Sequence, residues 1–305
     1  MTHLPFLVRP VPVRCTPFVV TLGLGVLLAG APAGAATIRP AARIGQAGAG
    51  AGASAAHTGP EHTGAAHMGK DARQSWTLPD CMSMVEEDPF GARDYAQDWL
   101  KHGGNREARH CHALALLELG NEQEAAQELD DLVRNAPSSG PESSASLRAV
   151  MAEEAAEAWL SAGNPPGALS IVDYGLSIRP GDTTLRLAKA RALLEQGNAA
   201  AVVADLTSLV ARGADAPPEA FVLLASAERR LGQLDKATQH ITLALQRMPE
   251  NAAALLERGI IREQVGDATG ARADWQHVLD VAPDSHEADL ARQDLAVLAA
   301  DPDSP

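Results

Sequence analysis

The sequence predicts an all-α solenoid of stacked antiparallel helix pairs, and three regularities predict it. Gly120, Gly163, Gly197, Gly232 and Gly266 recur at steps of 43, 34, 35 and 34 residues. Seven residues before each stands Ala113, Ala156, Ala190, Ala225 or Gly259, and five after each stands Ala125, Ala168, Val202, Ala237 or Ala271. Prolines then close four of the five blocks, at Pro137, Pro180, Pro249 and Pro283. A period near 34 residues marks a stacked repeat in which no unit can bury its apolar face alone.

Residues 1–36 stand outside that pattern. Arg9 and Arg14 precede an apolar run, PFVVTLGLGVLLAG, and small residues close it at Ala33-Gly34-Ala35-Ala36. A basic start, a short apolar stretch and a small-residue exit read as a secretory signal peptide. The alternative is an uncleaved anchor, since residues 17–36 are just long enough to span a bilayer with tilt. Residues 37–75 are mainly Ala, Gly, Pro and His, too poor in large apolar side chains to offset their ordering entropy, and are expected to form a disordered tether. His57, His62 and His67 recur there every five residues; weak metal capture and low-complexity drift are the two readings.

Residues 76–105 read as a degenerate helix pair, with a short first helix from Pro79 to Glu87 and a second from Gly91 to His102, stopped at Gly103-Gly104. Five full units follow over 106–284. Unit four shows why each is two helices: Phe221, Leu224, Ala225 and Leu231 fall near one helical face, and Gly232 then breaks the helix. Ala237, Ile241, Ala244 and Leu245 form a second stripe that Pro249 ends. Small side chains at Ala225 and Ala237 allow the two axes to approach closely. The polar stretch 137–146 (PSSGPESSAS) is an inserted loop that accounts for the 43-residue step. Unit three lacks its closing proline at Ala214, so Gly213 and Pro217 are expected to make that turn. Asp284 with Glu287 reads as a capping box opening a C-terminal capping helix over 285–300, before a tail at 301–305.

The repeat resembles the tetratricopeptide repeat over about Arg106 to Ser285. Four residues after the second-helix small residue the family pattern expects a large apolar side chain, and Leu129, Val172, Leu206, Ile241 and Trp275 stand there. The family's frequent first-helix tyrosine is replaced by Leu116, Trp159, Leu193, Glu228 and Arg262; the last two predict looser or more polar interfaces. The resemblance implies a right-handed superhelix whose first helices line a concave groove for a peptide or partner helix. It places His110, Leu114, Glu118, Glu153, Glu157, Leu187, Arg191, Val222, Ser226, Arg229, Arg230, Leu256, Ile260 and Glu263 in that groove. These columns hold no Lys or Asn, so the family's carboxylate clamp is absent. An apolar stripe flanked by acids at one end and arginines nearer the middle suits an amphipathic or mixed-charge segment. A groove that is solvated, or filled by the protein's own tail, is the alternative.

Chemistry beyond binding finds little support. The formal net charge is −14, and removing 1–36 with its two arginines would leave −16. A chain this acidic is a poor match for nucleic acid or anionic membrane, and no stable membrane insertion is expected once the signal is cleaved. No nucleophile, phosphate-binding, dinucleotide or zinc-hydrolase motif occurs, so no enzyme, catalytic residue or cofactor is predicted. Glu153 and Glu157, on one helical face, read as a solvated pair rather than a general acid and base. Cys81 and Cys111 lie in first helices of neighbouring units and pair most simply as a disulfide; two buried thiols are the alternative. His110-Cys111-His112 with His102 could be read as metal ligands, but alternate residues of a helix diverge. Two functions stay open: an exported scaffold or adaptor in the periplasm of a Gram-negative bacterium, or a periplasmic metal- or cofactor-handling accessory for maturation of another protein.

Overall fold

The computed structural model describes residues 75–137 and 144–300. Its described residues form an all-α solenoid of thirteen α-helices, twelve of them in six successive antiparallel pairs. The pairs are α1 (Leu78–Val85) with α2 (Pro89–Lys101), α3 (Arg106–Glu118) with α4 (Glu122–Arg134), and α5 (Ala145–Ser161) with α6 (Pro165–Ile178). Then come α7 (Thr183–Glu195) with α8 (Ala199–Val210), α9 (Pro218–Arg230) with α10 (Leu234–Arg247), and α11 (Ala252–Gln264) with α12 (Ala268–Val281). Helix α13 (His286–Ala300) closes the stack. The signal, tether and tail expectations for 1–74 and 301–305 lie outside the described residues.

Each tight turn is written in two residues. At Gly163 φ is 67°, a left-handed conformation that costs glycine little. There the Asn164 amide donates to the Trp159 carbonyl, and the Asn164 side chain accepts from the Gly167 amide to cap α6. The same wiring recurs at Asn198 and Asp267, whose side chains accept from Ala201 and Gly270. Where the other units close on a proline, unit three passes to α9 through a short 3-10 segment, Gly213–Asp215, before Pro217.

Packing follows the small-residue columns. Ala113, Ala125, Ala156, Ala168, Ala225 and Ala237 are fully buried, as close helix crossings require. Gly259 departs from alanine for a local reason: a Cβ there would stand 2.3 Å from Trp275 Nε1, because the indole fills that crossing. Cores are shared between units rather than owned. One joins Leu129, Ile171 and Leu185 from three units, a second joins Leu206, Leu209 and Leu224, and a third runs from Phe221 to Leu298.

Several boundaries differ from the sequence-based expectation. The short first helix begins at Leu78 because Thr77 caps it, accepting from the Asp80 amide, and it ends at Val85. The second begins at Pro89, capped by Asp88. The inserted stretch is not all loop: α5 begins at Ala145 and is 17 residues long, so helix absorbs part of the 43-residue step. Asp284 and Glu287 make no capping box. Ser285 is the cap, its hydroxyl oxygen accepting from the Ala288 amide at 3.1 Å. At the tyrosine column, Glu228 hydrogen-bonds with His240 Nδ1 at 2.7 Å, and Arg262 donates to Asp274 at 2.8 Å. Those interfaces are polar as expected but filled rather than loose, since Glu228 and Asp274 are buried.

Candidate functional site

The inner face is built by the first helices, which touch in sequence as α1–α3, α5–α7, α7–α9, α9–α11 and α11–α13. Helices α3 and α5, on either side of the inserted stretch, make no comparable contact. A cleft of about 360 Å³ opens there, with walls from α1, α3, α5 and α7. Met82, Val85, Leu114 and Leu117 form its apolar side. Glu86, Glu118, Glu153, Glu154 and Glu157 form its acidic side, with Arg191 as its one basic residue.

Arg191 is already engaged. It donates to Glu219 at 2.6 Å and to Glu157 at 3.0 Å, and Glu153 lies 3.9 Å away. Burial alone would lower its pKa, but Glu219 and Glu157 outweigh that and raise it. Glu153 is pushed up by burial, and repulsion from Glu157, Glu154 and Glu219 adds to this against the pull of Arg191. Glu153 and Glu157 thus face solvent in part and share Arg191. Further along, Arg229 donates to Glu257 at 2.5 Å across α9 and α11. A smaller cleft of about 180 Å³ follows at α11–α13, lined by Ile260, Glu263, Trp275, Asp294, Val297 and Leu298. Burial, with repulsion from Glu263, raises the Asp294 carboxyl.

The structure gathers Leu114, Glu118, Glu153, Glu157 and Arg191 at the first cleft and Ile260 with Glu263 at the second. It places other predicted groove residues elsewhere. Leu187 and Leu256 are buried in the cores, so they cannot serve as anchors for a partner. His110 is buried and its Nε2 meets Glu154 at 2.6 Å, a bond that crosses the gap between α3 and α5. Val222 and Ser226 are half-buried, and Val222 packs on the core. Arg230 turns back to donate to the Leu194 carbonyl in the last turn of α7. With Arg191 and Arg229 also paired, the middle of the inner face offers no open basic patch among the described residues. The expected mixed-charge groove is acidic and apolar.

Glu86, Glu154, Glu219, Glu257 and Asp294 were missed as site residues. One signal was present: Glu219 and Glu257 each lie 28 residues after their arginine, in step with the repeat. Cys81 and Cys111 form a disulfide with Cα atoms 6.1 Å apart, fastening α1 as a cleft wall. His112 bonds Glu128 at 2.8 Å, away from His110, and His102 stacks on Trp76. Among the described residues no group of three or more His, Cys, Asp or Glu side chains could hold a metal ion. Among them, too, no helix is long and apolar enough to cross a membrane.

No curated protein matches the chain. Residues 112–139 match a family model described as tetratricopeptide repeat. Among solved structures, a tetratricopeptide repeat protein from Parabacteroides merdae is similar at TM-score 0.58 and 14% identity, covering 73% of this chain and 85% of that one. PilW, a type IV pilus biogenesis factor, is similar at TM-score 0.54 and 21% identity, covering 70% and 96%. Together with the glycine-closed helix pairs, these likenesses identify the chain as having the tetratricopeptide-repeat fold, with one unit matched directly by the repeat model.

Proposed function

We propose that this protein is an exported, non-catalytic scaffold that holds a segment of a partner protein against its inner face. The observation that carries the reading is the apolar cleft rimmed by glutamates where α1, α3, α5 and α7 converge. Apolar anchors supply the contact area and rim charges supply orientation, the usual division of labour in peptide recognition. Because the arginines nearby are already paired, the favoured partner segment is basic and amphipathic. The Cys81–Cys111 disulfide fits an oxidising compartment, in keeping with export to a periplasm.

A photo-crosslinking residue at Leu117 or Val297, both on the inner face, tests the binding surface in cells. The same partner should be captured from these positions and not from Lys236, on the second helix α10. Capture from Lys236 alone would sink the reading. Export is tested separately by N-terminal sequencing of the recovered protein: a start near residue 37 supports it, and an intact Met1 opposes it.

A further inference from the structure

We infer that residues 37–44 of this same chain, Thr-Ile-Arg-Pro-Ala-Ala-Arg-Ile, occupy the cleft between α1, α3, α5 and α7, so that a partner binds by displacing them. The inference rests on the reading of the inner face as a binding surface. It names the first occupant of that surface.

The chemistry of the two sides matches. The cleft offers Met82, Val85, Leu114 and Leu117 to aliphatic side chains, and its polar rim carries five glutamates and one arginine, with Glu154 on His110 and Glu157 on Arg191. That arginine is held by Glu157 and Glu219, and Glu153 still carries the repulsion of its acidic neighbours. An incoming guanidinium relieves that repulsion, and desolvation between apolar walls strengthens the attraction. Residues 37–44 carry two arginines, two isoleucines and no acid. Ile38 and Ile44 are the only Ile, Leu, Val or Phe residues between 37 and 74, and Arg39 and Arg43 lie between them, whereas Lys70 and Arg73 have no such aliphatic neighbours in that stretch.

The connection is also the right length. Residues 45–77, a stretch of 33, join Ile44 to Leu78 at the start of α1, itself a wall of the cleft. A Gly-rich chain of that length has an end-to-end distance of roughly 30 Å. The attached segment is then present at an effective concentration on the order of 1 mM. A sequence that binds at about 0.1 mM as a free peptide would fill the cleft about nine-tenths of the time when attached.

Fluorescence anisotropy of a labelled synthetic peptide covering residues 37–45 tests this. The peptide is titrated into the purified chain and into its R39E/R43E version. The altered chain should bind the peptide about tenfold more tightly, because its own competitor is disabled. Adding Glu86→Lys, an exposed change at the end of α1, should then weaken that binding severalfold, with circular dichroism confirming an unchanged helix content. Equal affinity for the two chains would mean that the cleft stands open, and no affinity for either would mean that it does not take such a segment. Indifference to Glu86→Lys would place the peptide elsewhere. Competition that grows with protein concentration would assign the segment to a second copy. Each of these overturns the inference and leaves partner capture at Leu117 and Val297 to be judged on its own experiment.

Discussion

Glu128 and Glu153 are both half-buried acids, and their surroundings move them in opposite directions. For Glu128 burial alone would raise the pKa, but hydrogen bonds with His112 and Arg109 outweigh it and lower it. Asp131 is lowered as well, chiefly by Arg109. A carboxyl held low contributes stability above its unfolded pKa and loses that contribution as pH falls through its folded value. Glu153 and Asp294 are held high, so they penalise the folded state above their raised pKa, and acidification down to the unfolded value removes the penalty. Melting temperature should therefore rise on first acidification from neutral pH, then fall once the pH drops below the ordinary carboxyl range and Glu128 and Asp131 take up protons. The double change Glu153→Gln, Asp294→Asn should raise the melting temperature at pH 7 and abolish the early rise. A variant that keeps the rise would show that these two acids do not cause it. None of this was legible from spacing. Glu153 and Glu157 share a helix face in the sequence, but Arg191 and Glu219 reach them from two other units.

At the scale of the helix, α1 is the element that depends most on covalent help. It has 8 residues, too few to be stable alone, and only Cys81 and Val85 of them are buried. The disulfide closes a 30-residue separation, which in the chain-entropy account stabilises by about 3–4 kcal/mol. Replacing both cysteines with serine should therefore release α1, while α9 to α13 keep their protection in hydrogen exchange. Uniform loss of protection along the chain would mean that the bond supports the whole fold. The sequence made the helix pairs readable here because glycine, asparagine and proline punctuate them locally. It was weaker where caps compete: Ser285 rather than Asp284 opens α13, a choice between adjacent residues with similar side-chain chemistry. Exposure of the first-helix positions was weaker still. Leu187 and Leu256 share columns with groove residues, yet how far each is covered depends on how its unit turns against the next.

The whole molecule is a line of shared cores, each coupled mainly to its neighbours. Leu209, fully buried in α8, belongs to the middle core that joins units three and four. Leu209→Ala should cost about 2–5 kcal/mol. Because coupling is between nearest neighbours, that loss should split urea unfolding into two steps, with the ends melting separately. A single sharp transition shifted to lower urea would show longer-range cooperativity than this architecture implies. The period was legible throughout because every unit repeats the same close crossing. The proposed binding cleft was not, because it lies where the period fails, between α3 and α5 on either side of the 43-residue step.

The ion pairs Arg191–Glu219 and Arg229–Glu257 have a mechanical consequence. Both stitch consecutive first helices together, on one side of the stack only. Flattening the coil stretches these stitches, whereas tightening it leaves them intact. The molecule should therefore behave as a spring that is stiffer in extension than in compression, with a stiffness that falls as salt screens the more exposed Arg191–Glu219 pair and holds at the buried Arg229–Glu257 pair. A bulky guest would have to do work against that spring, and a slender one would not.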